Sequence, residues 1–124
     1  PISVANQEFF QKKYLLKLKK KNIEIHVRSI FLQGLLLSSY KSLPKKFKKN
    51  KFFLQWFKWL KMYNYVPLEA CLGFIKNIKN IDKIVIGINN LEQLKSIVKA
   101  FKKSINFKFI KFNQPSILRK PSKW

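Results

Sequence analysis

The sequence is poor in the residues that build metal sites and acid–base catalytic centres. It has one cysteine, one histidine and five acidic residues among 124. Cys71 alone cannot form an internal disulfide, and no His, Cys and carboxylate spacing typical of a metal site is present. No nucleophile has a partner base at a recognisable spacing. We therefore predict no metal ligands and assign no catalytic residue, and we interpret His26 as a hydrogen-bonded structural residue.

Long apolar runs and a targeting segment are also missing. No run reaches the length of a membrane span, and the first residues lack the layout of a signal peptide. These features predict a cytoplasmic protein with no membrane partner, in agreement with the single cysteine. The sequence starts at Pro1 without a leading Met, and we expect it to be a fragment of a longer chain.

Charge of one sign dominates the chain. Lys and Arg number 27, the net charge is +22, and only Arg28 and Arg119 are arginines. Specific phosphate and base contacts favour the planar guanidinium group of Arg. The scattered Lys excess, beside many Asn, Ile and Phe, favours compositional bias over specific nucleic-acid recognition. A small basic protein that binds nucleic acid or an anionic surface remains the alternative, since either origin of the charge produces salt-sensitive association with polyanions.

The most informative stretch is residues 23–37, IEIHVRSIFLQGLLL. Ile23, Ile25 and Val27 alternate with polar residues, as in a half-buried strand. The strand is followed by a turn-like segment, residues 29–34. There the Ser29 hydroxyl and backbone N–H groups can hold a phosphate, and Gly34 permits close approach. An ordinary βα loop without a ligand is the alternative.

The remaining pattern predicts an α/β domain with parallel strands covered by helices. The expected order is a helix, a strand, two helices, a strand and a helix, followed by an irregular tail. The helices are predicted at residues 8–21, 52–64, 67–77 and 91–102, and the strands at residues 23–27 and 81–87. Residues 1–6 are expected to include the end of a further strand.

Two further segments have competing interpretations. Residues 87–94, GINNLEQL, join the second strand to the N-terminus of a helix, where unpaired N–H groups attract an anion. Alternatively, Gly87 makes a tight turn and Asn90 is a plain helix cap. The aromatic helix at residues 52–64 is interpreted as a core helix whose partner surface is missing from these 124 residues, with a membrane-surface helix as the alternative.

Together the two loop segments give the chain a family resemblance. VRSIFLQGLLL, the later IVIGINNLEQL and the ending PSKW resemble the C-terminal half of an aldo/keto reductase over nearly the whole chain. The resemblance implies the C-terminal half of a (β/α)8 TIM barrel, incomplete as given, since such a barrel needs roughly twice this length. Residues 1–124 would then be one partial domain.

The resemblance also implies the residues that bind a nicotinamide dinucleotide, normally NADP. Ser29, Phe31 and Gly34 match the family's pyrophosphate-contacting loop. The segment that holds the adenosine end is matched by Gly87, Ile88, Asn89 and Gln93. In the full-length enzyme, the second ligand is a small carbonyl substrate.

The chain departs from the family pattern at several positions. Ser96 and Ile97 stand where many members have Glu-Asn. Neither Gly87 nor Gln93 is basic, although many members have a basic residue at one of these places to pair with the 2′-phosphate; NAD is therefore the alternative cofactor. No residue matches the family's catalytic Asp, Tyr, Lys and His, so the resemblance implies that the chain alone is inactive.

Overall fold

The computed structural model describes residues 1–11, 13–103, 108, 111–112 and 114–119. The PSKW ending and most of the predicted irregular tail lie outside these residues. The helices and strands, in chain order, are α1 Glu8–Gln11, α2 Tyr14–Lys19, β1 His26–Val27, α3 Lys45–Lys48, α4 Lys51–Tyr63, α5 Pro67–Lys76, β2 Lys83–Ile84 and α6 Leu91–Lys102. Two short 3-10 helices cover Leu35–Leu37 and Ser116–Arg119.

The two strands pair in parallel, as the βα alternation predicts. His26 is opposite Lys83 and Val27 is opposite Ile84. The N–H of Val85 extends the pairing by donating to the carbonyl of Val27 at 2.8 Å. Both strands are shorter than predicted, because the flanking residues leave the ladder within a residue or two. Whether further strands complete a barrel stays a prediction.

The first six residues contact the segment after β1 but do not form the predicted strand end. The N–H of Ile2 donates to the carbonyl of Arg28 at 3.1 Å. Ser3 and Asn6 form an isolated antiparallel bridge, and Ile2, Val4 and Ala5 are buried. This segment therefore belongs to the core although it forms no regular strand.

Helix α4 is a core helix, as predicted, but its aromatic face is covered by other parts of this chain, which corrects the expectation that its partner surface is missing. Phe52, Phe53 and Trp56 are completely buried. The Trp56 indole Nε1–H donates to the carbonyl of Leu36 at 3.2 Å, which fixes α4 to the segment after the first loop. Within the described part of the chain, no helix is both long enough and apolar enough to cross a membrane.

The structure corrects the prediction of one continuous helix at residues 8–21. Lys13 has a left-handed backbone with φ 56°, and a left-handed residue cannot continue a right-handed helix. Helices α1 and α2 are therefore separate. Leu15 is buried, whereas the rings of Phe9 and Tyr14 are exposed and contact each other edge to face at 5.6 Å.

Helices α5 and α6 begin as the sequence predicts. The apolar face of α6, however, is more exposed to solvent than predicted. Pro67 occupies the first turn of α5, and α5 packs against α6 and Leu35–Leu37. In α6 only Ala100 is buried and Ile97 half-buried. Four residues of its predicted inner face are between 41% and 60% exposed: Leu91, Leu94, Val98 and Phe101.

Candidate functional site

A cleft of about 790 Å³ opens where the chain leaves the two parallel strands. One side is formed by residues 28–34 after β1, and the other by residues 85–93 between β2 and α6. Ile97 of α6 and Leu68 of α5 line it as well. In sheets with parallel strands, ligands bind outside the carboxyl ends of the strands. The cleft therefore lies where this topology usually holds a ligand.

The cleft brings together nearly all of the residues predicted for dinucleotide binding. Six of the seven line it: Ser29, Phe31, Gly34, Gly87, Asn89 and Gln93. Ile88 is absent from the lining, and 45% of its surface is exposed. The two predicted loops, which are far apart in the sequence, thus face the same space.

The first loop has an unusual backbone. Ser29, Leu32, Gln33 and Gly34 all have positive φ, at 63°, 51°, 53° and 83°. Left-handed conformations are unfavourable for residues with a Cβ atom, so the surrounding contacts must hold this loop. The Leu32 N–H donates to the Ser29 carbonyl at 3.0 Å, and the Trp56 indole holds the following segment.

This conformation leaves backbone donors available. Within the described part of the chain, the N–H groups of Phe31, Gln33 and Gly34 donate no hydrogen bond. A Cβ atom built on Gly34 would meet nothing within 4 Å, so the space beside its backbone is open. Successive free N–H groups in such loops bind anions. The loop can therefore receive a phosphate close to its main chain.

The second loop is fixed by two reciprocal hydrogen bonds. The Asn90 side chain caps α6 by accepting from the Gln93 N–H at 2.9 Å. The Gln93 side-chain oxygen in turn accepts from the Asn89 N–H at 2.9 Å. This arrangement resembles a capping box, shifted by one residue. It orients Asn89 and Gln93 and places the first turn of α6 at the cleft.

The charged lining of the cleft, within the described residues, consists of Arg28 and Glu92. Arg28 forms no ion pair with another described residue. Glu92 forms an exposed ion pair with Lys95 at 3.2 Å. The first loop thus presents a positive charge to the cleft, and the second presents a negative one.

Sequence reasoning missed several residues of this lining. Arg28, Glu92, Ser96 and Ile97 line the cleft beside the predicted positions, and Asn90, predicted only as a possible cap, does so too. All five lie within or directly beside the two loop motifs. Helical spacing was the available signal for Ser96 and Ile97, because they lie three and four residues after Gln93 on one face of α6.

Acid–base and metal chemistry are not evident among the described residues. His26 is exposed, and its Nε2 lies 3.1 Å from Glu24, which also pairs with Lys83 at 2.7 Å. Complete burial raises the pKa of the Cys71 thiol far above its ordinary value, so it is a poor nucleophile. No described group of three His, Cys, Asp or Glu residues is arranged to hold a metal ion.

Comparisons with known proteins do not add to this geometry. No protein-family model, no curated protein and no solved structure matches the chain.

Proposed function

We propose that the chain is the cofactor-binding C-terminal portion of a cytoplasmic NAD(P)H-dependent aldo/keto reductase, an oxidoreductase acting on carbonyl and alcohol substrates. The observation that carries the proposal is the meeting of two distant loop motifs in one cleft. The residues that carry the family resemblance belong to two motifs that are far apart in the sequence. Six of them nevertheless line the same space, at the carboxyl ends of two parallel strands.

The cleft suits a dinucleotide in size and chemistry. Its volume of about 790 Å³ is within the range of roughly 300–1,000 Å³ found for ligand pockets. The free N–H groups of the first loop, together with Arg28, suit the diphosphate, which needs several donors and a cation. The amide side chains of Asn89 and Gln93 offer hydrogen bonds to the adenosine end.

In this proposal the chain binds and orients the cofactor, and it supplies no proton donor. When bound, the nicotinamide supplies a hydride for reduction of a carbonyl carbon. The first loop would hold the diphosphate, and the second would hold the adenosine. The catalytic Asp, Tyr, Lys and His of the family would come from the other half of the barrel, so the 124 residues alone would not turn over a substrate.

The proposal can be tested on the full gene product that contains residues 1–124. Calorimetric titration with NADPH and with NADH should give saturable 1:1 binding, and the protein should oxidise one of them when an aldehyde is added. Arg28→Gln should weaken dinucleotide binding about tenfold if the guanidinium contacts the diphosphate. Lys41→Gln, which removes the same charge outside the cleft, is the control. Absence of saturable binding by either dinucleotide would contradict the proposal.

One observation favours a second function, the binding of nucleic acid or another polyanion. Between Glu24 and Glu69 the sequence has no acidic residue. The lysines of residues 41–51 form no ion pair with any described residue. Such an uncompensated patch attracts polyanions. A steep fall in nucleic-acid affinity with salt, without saturable dinucleotide binding, would favour this function over the reductase.

A further inference from the structure

The two charges of the cleft bear on which dinucleotide it accepts. Arg28 lies on the first loop and Glu92 on the first turn of α6. They belong to the two different segments that line the cleft. A ligand that spans both loops therefore meets a cation on one side and a carboxylate on the other.

A 2′-phosphate needs a cation or several free donors. The single lining cation among the described residues, Arg28, belongs to the same loop as the free N–H groups of residues 31, 33 and 34. In the function proposed above, the diphosphate takes these donors and this cation. The second loop offers uncharged side chains and Glu92, and the Gln93 oxygen is already engaged by the Asn89 N–H. A further phosphate there would face a carboxylate with no lining cation to balance it.

Lys95 offsets the negative charge of Glu92 only in part. Its Nζ lies 3.2 Å from Glu92, and both side chains are largely exposed, at 64% and 80%. Lys95 is also absent from the cleft lining. Its charge therefore offsets part of the Glu92 charge from outside the cleft, and water screens what remains.

We propose, resting on the function proposed above, that the cleft takes NAD(H) in preference to NADP(H), and that Glu92 is a specificity-determining residue. The Glu92 carboxylate accepts a hydrogen bond from a ribose hydroxyl of the adenosine end and repels a 2′-phosphate. Carboxylates select the free ribose in other dinucleotide sites by the same physical means. This preference is opposite to the one that the family resemblance implies.

The test is a calorimetric titration of the full gene product with NADH and with NADPH. The ionic strength is held at about 0.15 M, so that the high net charge of the chain does not favour the more anionic NADPH. We expect NADH to bind about tenfold more tightly, a moderate factor because Glu92 is exposed. Glu92→Gln should reduce that ratio to about threefold or less by strengthening NADPH binding. Glu24→Gln, which removes an exposed carboxylate outside the cleft, should leave the ratio unchanged.

The outcomes separate this inference from the function on which it rests. Tighter binding of NADPH by the unaltered protein would overturn the inference and leave the reductase proposal standing. An NADH preference that Glu92→Gln does not change would overturn the role of Glu92. Saturable binding of neither dinucleotide would overturn both proposals together.

Discussion

The carboxylate of Asp82 accepts a hydrogen bond from the backbone N–H of Ile25 at 2.7 Å. Its other oxygen lies 2.6 Å from the Lys19 ammonium group. One side chain thus joins the end of α2, the approach to β1 and the approach to β2. Because the cleft loops leave the opposite ends of these strands, Asp82 helps to fix the register that brings the loops together.

Removal of the Asp82 carboxylate should destabilise the fold. We expect Asp82→Ala to lower the urea midpoint, because the Ile25 N–H loses its acceptor and Lys19 loses its partner. Asp82→Asn, which keeps one acceptor oxygen, should lose less. Glu92→Ala is the control, since its exposed ion pair with Lys95 contributes little to stability. An unchanged midpoint for Asp82→Ala would show that this side chain does not hold the strands.

Stability should decline in acid. Lys19 and the Ile25 N–H lower the pKa of Asp82, and Lys83 and His26 lower the pKa of Glu24. A carboxyl whose pKa is lower in the folded state stabilises the fold above its unfolded pKa, about 4. That contribution is lost as the pH falls through the lowered folded pKa. We expect the urea concentration at the unfolding midpoint, measured from pH 6 to pH 3, to decrease once the pH is below about 4. The decrease should be less steep in Asp82→Asn.

Bulk at Gly34 should block the cleft. A side chain at this position enters open space next to the free N–H groups, so Gly34→Trp should weaken dinucleotide binding by at least about tenfold. The left-handed φ of 83° makes any side chain here strained, at a cost of roughly 1 kcal/mol. Gly34→Ala carries that strain without the bulk and is the matched control. Equal affinities for the two variants and the unaltered protein would count against this loop as the diphosphate site.

Loss of the α6 cap should affect both stability and binding. Asn90→Ala removes the acceptor for the Gln93 N–H and should cost about 1 kcal/mol of unfolding free energy. The same change releases the second loop, so dinucleotide affinity should fall as well. Asn90→Ser retains a capping oxygen and should behave nearly like the unaltered chain. Circular dichroism and calorimetry on the same samples would separate the two effects.

The sequence predicts local structure well where one interaction decides it. Pro67 and Asn90 mark the starts of α5 and α6, because a proline at a first helical turn and an amide cap act within a few residues. The alternation correctly predicts burial at Ile25 and Val27, but Ile23 is exposed, and of these three residues only Val27 lies in β1. The aromatic spacing correctly makes Trp56 a core residue.

Features that depend on distant neighbours are harder to predict. Periodicity shows that Leu91, Leu94, Val98 and Phe101 share a face, but it cannot show whether another element covers that face. The left-handed backbone at Lys13, Leu32 and Gln33 has no sequence signal either, since Gly and Asn are the usual markers. Arg28 and Glu92 carry no sequence signal for the cleft, because both are solvent-exposed, as charged residues usually are wherever they lie.

The hydrogen bond from the Trp56 indole to the Leu36 carbonyl gives the chain a built-in optical reporter. Trp56 is completely buried, so its emission should be shifted to the blue. Its acceptor is two residues from Gly34, so a ligand that moves the first loop also changes the electrostatic environment of the indole. Trp59 is also buried and stacks on Trp56 at 5.4 Å, so the combined emission of the two rings is expected to follow occupation of the cleft without an attached dye.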